Sequence, residues 1–497
     1  MAVSAPRPPD ILYVVLDCAR ATDLNSGPTS RERYPNWARL TGSSLVFDHA
    51  IAPASWTLPS HASMFTGKYP WEHLVLHGGT PVLGAEFVTL ADETRRLGYA
   101  TACFSANPLV GRSTGLVRGF DTAYSGRFLD CYLRPLSSHL TGPVSEHEHG
   151  RSSLLKRIET ETGHTLRSSV KKALLLYPAI FDLFVRAAAK VRSERDGLPS
   201  EASPWIEPTL SSWLDSVDPS RPCFAFVNLL DAHEPYLALP ERIDSWTEWF
   251  ARMSVRQDSL QQFFGTRMPS EDDCAVLYEL YQEALRIADR RLGQIVDRFE
   301  RVRDPANTIV VVTSDHGQAF GEGGQVYHGR GTTDEIVRVP LAVRFPERLG
   351  LHGVVPDWTS TAMLGPAVLL PSIWETSGPQ RPAPYGAAKD EAGTEPVFAI
   401  SDNYDSPEQF ERSPTPFSGS LVAYRGSVKV ELKLPDHRLR AFDEDQPGRP
   451  EVALEQKNRS TQQVVEQLKR IASSHLKELT PMRNPAWARL AAWGYDS

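Results

Sequence analysis

Three apolar stretches of this chain run directly into residues that bind cations or move protons. ILYVVL (residues 11–16) ends in Asp17. TIVVVT (308–313) ends in Ser314-Asp315-His316-Gly317. CFAFVNLL (223–230) ends in Asp231-Ala232-His233-Glu234-Pro235-Tyr236. Carboxylates with imidazoles suit a divalent cation such as Mn, Zn or Mg, and a strand end holds such ligands rigidly. A lone aspartate after a strand serves as well for a helix cap, so Asp17 alone leaves both roles open. Asp315-His316-Gly317 is the more pointed signal. The fourth stretch is Ser55-Trp56-Thr57-Leu58-Pro59-Ser60-His61, continuing to Gly67. Its composition predicts a helix capped by Thr57, opened by Leu58 and Pro59, and closed by Gly67. A hydroxyl at that place sits at the positive end of the helix dipole, where phosphate or sulfate is stabilised. Beside a metal, the same hydroxyl can lose its proton and become a nucleophile near neutral pH.

The elements that must position these groups are legible in outline. Short, unbroken apolar runs are the pattern of strands buried on both faces of a mainly parallel sheet. In open α/β sheets, ligands bind beyond the carboxyl ends of the strands, so three ends bearing Asp and His predict one site. Residues 87–97 and 270–302 have helical periodicity, the latter with apolar residues at Leu277, Leu280, Ala284, Ile287, Leu292 and Ile295, and it leads into the 308–313 strand as a crossover helix. Residues 126–205 are Ser-, His- and Arg-rich around a helical core and read as an insertion or cap. Within them, 174–191 carry Asp182, Arg186 and Lys190, which favours a packed amphipathic helix over a membrane-contacting one. Residues 377–395 read as a linker. This gives a catalytic domain over 1–376 and a C-terminal subdomain over 396–497, where VFAIS, SLVAYRG and SVKVELKL predict short strands and residues 461–476 a helix.

Bulk properties exclude several classes. The 497 residues suit one large α/β domain with an appendage, and 41% hydrophobic with 23% charged residues is ordinary for a globular enzyme. The net charge of -8 offers no positive footprint for nucleic acid. Five widely spaced cysteines, none paired as C-x-x-C, argue against a disulfide framework or a structural zinc cluster. The first residues, MAVSAPRPPD, lack the pattern of a secretory leader, and the 11–16 run is too short to span a membrane; a cytoplasmic location is the default expectation.

Taken in order, DILYVVLDCAR, SWTLPSHASMFTGKYP, NLLDAHEPY, VVTSDHGQAFGE, His328-Gly329 and RVPLAV resemble the successive blocks of the sulfatase family of the alkaline phosphatase superfamily. Weaker echoes follow in AFDEDQPGRPEVALEQ and RLAAWGY. The resemblance implies an alkaline phosphatase-like α/β sandwich, with a large, mainly parallel sheet flanked by helices and a smaller C-terminal α+β subdomain. It implies one divalent metal ion held by Asp17, Asp315 and His316 with Thr57 facing it; two carboxylates, an imidazole and a hydroxyl favour Mn or Zn over Mg or Ca. His233 and His328 match positions that contact the substrate anion or the leaving group. His61 stands where sulfatases have an arginine beside the nucleophile. Lys68 and Arg20 are candidate contacts to the anionic ester, with surface or structural roles as the alternative.

Two departures bear on function. Ordinary sulfatases carry C-x-P-x-R or S-x-P-x-R, whose first residue is oxidised to formylglycine; this chain has Thr57-Leu58-Pro59-Ser60-His61. Threonine cannot give that aldehyde, and it lacks the second hydroxyl whose collapse expels sulfate. A phosphorylated threonine can instead be attacked at phosphorus by water or an alcohol. The resemblance therefore leans to the threonine-using phosphodiesterases and phosphoglycerol transferases of the superfamily, with a sulfuric ester hydrolase acting without formylglycine, or a non-catalytic anion-binding member, as alternatives. The second departure is Cys18, where many sulfatases have a further aspartate. It reads as a small buried residue or as a soft-metal ligand.

Overall fold

A computed structural model describes residues 7–25, 27–76, 80–125, 203–234, 236, 269–365, 396–402, 419–443, 451–452 and 459–476. The expected insertion and linker, and the 174–191 helix, lie outside them apart from residues 203–205.

The main sheet has eight strands. From one edge they are Gly353–Val355, Leu45–Phe47, Leu341–Arg344, Thr308–Thr313, Asp10–Leu16, Cys223–Leu229, Ala100–Ser105 and Thr122–Ser125. Only Leu341–Arg344 runs against its neighbours; the other pairings are parallel. Asp10–Leu16 lies at the centre, in register with Thr308–Thr313 on one side and Cys223–Leu229 on the other. All three are wholly buried, which explains why their sequences are continuous apolar runs and not alternating ones.

Alternation decides which face each side chain covers. Ile11, Tyr13 and Val15 pack with Leu58, Ala62 and Phe65 of the Thr57–Thr66 helix. Leu12, Val14 and Leu16 face the other way, against Leu277, Tyr281, Ala284, Ala288 and Leu292 of the 32-residue helix Glu271–Val302. That helix begins with a reciprocal cap, Ser270 accepting from the Asp273 N–H, and three acidic residues in its first turn. Full burial of each large apolar side chain contributes about 1.5–3 kcal/mol, so both helices are clamped to the sheet that carries the strand-end residues.

The C-terminal subdomain is a five-stranded antiparallel sheet, in chain order from Val397–Asp402 to Glu451–Val452, with Val464 and Leu468 of the Arg459–Ile471 helix in its core. It is tied to the main domain just before Thr57: Ile400 N–H donates to Pro53 O at 3.0 Å and Ser55 N–H to Ile400 O at 3.2 Å. Among the described residues, no helix is long and apolar enough to cross a membrane.

Candidate active site

Four central strands deliver the site. Asp17 follows Asp10–Leu16, and its N–H is held by Leu229 O at 2.9 Å. Asp315 and His316 follow Thr308–Thr313; their turn is locked by Ser314, whose hydroxyl accepts from Ala19 N–H and donates to His316 O at 2.6 Å. Gly317 must be glycine, because a Cβ there would lie 2.0 Å from the Glu335 carbonyl oxygen. Asn228 stands inside Cys223–Leu229, and Asn107 two residues beyond Ala100–Ser105.

The Thr57–Thr66 helix brings the nucleophile candidate to these strand ends, with one difference from the sequence reading. The cap residue is Trp56, in extended conformation (φ -157°, ψ 167°), and Thr57 is the first helical residue. Its hydroxyl is therefore not consumed in capping. It lies 3.3 Å from His316 Nε2 and accepts from Asn107 Nδ2 at 3.3 Å. Gly67, at φ 70°, closes the helix as expected.

Asp17, Thr57, Asp315 and His316 are thus brought together, all buried. His316 Nδ1–H is held by Gly317 O at 2.9 Å, which leaves the Nε2 lone pair turned inward. That lone pair stands 3.4 Å from Asp315 Oδ2 and 3.9 Å from Asp17 Oδ1. Asp315 Oδ2 is buried without a hydrogen-bond partner. Lone pairs that converge this closely repel unless a proton or a cation sits among them, so the residues fit the divalent metal that their types imply.

The electrostatics point the same way. Burial and the charge of Asp17 push the Asp315 carboxyl well above its usual range. For Asp17, burial raises the pKa, but His233, His316 and the Asn107 hydrogen bond outweigh it and the carboxyl is held low. Burial lowers His316. Burial also lowers His61 to about 4, so it is a neutral ring.

Sequence reasoning missed Asn107. Its Nδ2 donates to Asp17 Oδ2 at 2.9 Å and to Thr57 Oγ1 at 3.3 Å, while its Oδ1 is fixed by Leu109 N–H at 3.0 Å. The signal was present: Ser105-Ala106-Asn107-Pro108 is a polar end to a buried strand, the rule that found the other three. A donor set rigidly on the Thr57 oxygen can stabilise negative charge that develops there. Asn107→Ala is expected to lower kcat by about 10²–10³-fold with little change in KM, read from steady-state kinetics.

The remaining sequence-predicted residues divide. His61 is fully buried between Phe65 and Phe226; its Nδ1–H is held by Thr57 O at 2.9 Å and lies 3.5 Å from Asp315 Oδ2. It braces the first helical turn and does not open onto the substrate side. His233, Glu234 and His328 line the more open side, each 12–14% exposed. Glu234 was not singled out in the sequence. It accepts from Gln318 Nε2 at 2.7 Å, and Gln318 Oε1 accepts from His328 Nδ1 at 2.8 Å. Arg20 is engaged by Glu322 at 3.0 Å and Asp23 at 3.4 Å. Lys68 is half-exposed and paired with Glu72 at 3.5 Å. Among the described contacts, neither cation reaches the Thr57 cluster.

The sulfatase family model matches residues 9–351. The chain belongs to the sulfatase family. It is 21% identical to the N-acetylglucosamine-6-sulfatase of Capra hircus over 76% of this chain and 62% of that protein. It is 25% identical to the steryl-sulfatase of Mus musculus, over 73% and 62% respectively. The chain spans less than two thirds of the length of the curated relatives it matches. Among solved structures, the phosphonate monoester hydrolase of Agrobacterium radiobacter superposes with a TM-score of 0.60 at 18% identity, covering 94% of this chain and 96% of that one. A sulfatase structure from Bacteroides thetaiotaomicron gives 0.59 at 14% identity, covering 95% and 94%. These likenesses agree with the alkaline phosphatase-like fold expected from the sequence, including its large, mostly parallel sheet and separate small antiparallel sheet.

Proposed function

We propose that this family member is a metal-dependent hydrolase or transferase that cleaves a phosphate ester, a diester foremost, through a covalent Thr57 intermediate. The observation that carries the reading is the Thr57 hydroxyl, free of any capping bond at a helix N-terminus, between His316 Nε2 and Asn107 Nδ2.

Asp17, Asp315, His316 and the Thr57 oxygen are the set that would hold the divalent cation. Two carboxylates with an imidazole favour Mn or Zn. Such an ion supplies polarisation of the ester oxygens and a lowered pKa for the threonine hydroxyl. The chain's own residues do the rest. The helix N-terminus orients the anionic group over Thr57. Asn107 donates to Oγ1 as that oxygen, its proton lost to solvent, attacks phosphorus in line, and the bond to the leaving oxygen breaks as His233 or His328 gives that oxygen a proton. Water or an alcohol then attacks phosphorus, and Thr57 is released. His61, anchored to the Thr57 carbonyl, is a positioning residue that keeps the first turn in place.

Sulfate transfer is the second reading, supported by the relatives named as sulfatases. It is disfavoured by the side chain itself, since a sulfated threonine has no second hydroxyl through which to expel sulfate. The test is an assay of a phosphodiester, a phosphate monoester and a sulfate ester of one chromogenic phenol, with Thr57→Ala as control. Preference for a phosphorus ester, lost in the variant, is the expected result. Preference for the sulfate ester would overturn it.

A further inference from the structure

Lys429 is a charged residue on an otherwise apolar face. The subdomain sheet turns Val397, Ala399, Val422 and Tyr424 toward the main domain, where they pack with Ile51, Ala319, Ile336, Val337 and Trp358. Lys429 stands directly across from Tyr424 in the antiparallel pair Gly419–Arg425 and Val428–Leu434, and only 8% of it is exposed. Its ammonium donates to Asp334 Oδ1 at 2.7 Å and to Thr332 O at 2.9 Å. The Tyr424 hydroxyl donates to the same carboxylate oxygen at 2.8 Å, and Arg338 reaches Asp334 Oδ2 at 3.8 Å. Exchanging such a buried pair for apolar residues of similar size is often neutral for stability, so docking the subdomain does not by itself call for it.

What the pair holds is the segment that braces the site. Asp334 opens the short helix Asp334–Val337. The carbonyls of Glu335 and Ile336 accept from Gln318 N–H at 2.9 Å and from Gly317 N–H at 2.6 Å. Gly317 O in turn fixes His316 Nδ1, and the Gln318 side chain reaches both His328 and Glu234. The same segment binds the turn after Asp17, through Ala21 N–H to Arg338 O at 3.2 Å. It also binds the chain leading to Thr57, through Ala52 N–H to Val337 O at 2.8 Å. The contact has no slack, since the two backbones pack with no room for a side chain at Gly317. A displacement of the Asp334 turn therefore carries the Gly317–Gln318 backbone with it.

We propose that Lys429, with Tyr424, is a positioning residue for His316. Through Asp334 and Thr332 the C-terminal subdomain sets the Asp334–Val337 turn, and that turn sets the aim of the His316 ring. The proposal rests on the reading of His316 as a metal ligand, and it holds whether phosphate or sulfate is cleaved. Among the described contacts, Lys429 reaches none of Asp17, Thr57, Asp315 and His316. Its action is therefore indirect. Outer groups that aim a metal ligand change the affinity for the ion by about 10–100-fold when removed. A residue that only docks a subdomain changes the Tm and leaves the affinity of the folded protein unaltered.

The test reads metal affinity in the full chain and needs no substrate. Metal-free protein is titrated with zinc against a chromogenic chelator, and the site counted is the one that Asp315→Asn removes. Lys429→Met combined with Asp334→Asn replaces the pair without stranding a buried charge, and the amide keeps an acceptor for Tyr424. This double variant is expected to bind zinc at that site about tenfold more weakly than wild type, with an unchanged circular dichroism spectrum and a metal-free Tm close to that of wild type. Where the double variant does not fold, Tyr424→Phe decides. It removes one donor to Asp334, keeps the ring against Trp358, and should weaken zinc by about threefold. Wild-type zinc affinity in the folded double variant, or in Tyr424→Phe where that variant decides, would overturn the proposal whatever the Tm. A wild-type protein with no zinc site sensitive to Asp315→Asn would overturn the metal-site reading, and the proposal with it.

Discussion

Thr57→Ala is expected to lower turnover of the preferred ester by about 10⁴-fold or more, the scale seen when a covalent nucleophile is removed from an intact site. The protein should still fold. Thr57 is the first residue of its helix, its hydroxyl caps nothing, and alanine is a good helix former. Metal content is expected to fall only in part, since Asp17, Asp315 and His316 remain. Thr57→Ser separates chemistry from packing: it keeps the oxygen and loses one buried methyl. Its penalty is about tenfold, with the same ester preference. Steady-state kinetics with circular dichroism as a fold control checks both variants. An alanine variant within tenfold of wild type would remove Thr57 from the mechanism and leave the strand-end residues to act on a bound water.

The second large effect is a divergence of stability from activity at Asp315. In the metal-free protein, the Asp315 carboxyl is pushed up by burial and by the neighbouring Asp17 charge, and its Oδ2 has no hydrogen-bond partner. Replacing one of two crowded buried carboxylates with an amide removes that penalty. Metal-free Asp315→Asn is therefore expected to be more stable than metal-free wild type by about 1–3 kcal/mol, seen as a raised Tm after chelation. The same variant should lose the ion held with Asp17 and His316 and most activity, and added metal should raise its Tm less than it raises that of wild type. Equal Tm gains from metal in both proteins would show that the cation is not held where Asp315 is.

The neighbourhood also holds a pair that mimics catalysis without taking part. Ser63 Oγ lies 3.0 Å from His73 Nε2, as in a hydroxyl–imidazole dyad. Val75 N–H donates to His73 Nδ1 at 3.1 Å, so the ring proton is on Nε2, with the Pro59 backbone among its partners. The imidazole has no lone pair left to activate that hydroxyl. Both residues are buried, and they join the Thr57–Thr66 helix to the chain that follows it. Residue types alone would have made this pair a candidate; the direction of one backbone N–H removes it.

What the sequence determined by itself was the strands and what stands at their ends. Continuous apolar runs can be buried only on both faces of a sheet, and a polar residue directly after such a run has to emerge at the sheet's edge. Asp17, Asp315, His316 and His233 were legible for that reason, as was the family. Asn107 obeys the same rule but follows a strand with the mixed composition ATACFS, so its apolar signal was weak. Tertiary structure alone decided direction and partner. It moved the helix cap from Thr57 to Trp56, because Trp56 carries the extended backbone that precedes the first turn, and so left the threonine oxygen free. It turned His61 away from the substrate side and onto the Thr57 carbonyl, one helical turn back. It tied Arg20 and Lys68 to carboxylates close to them in the fold. It also set Cys18 against His328, 310 positions away, in a left-handed backbone that no local pattern requires. Side-chain period and composition fix which edge of a sheet a residue reaches. The hydrogen bonds made there, which fix tautomer, charge and aim, come from strands and helices distant in the chain.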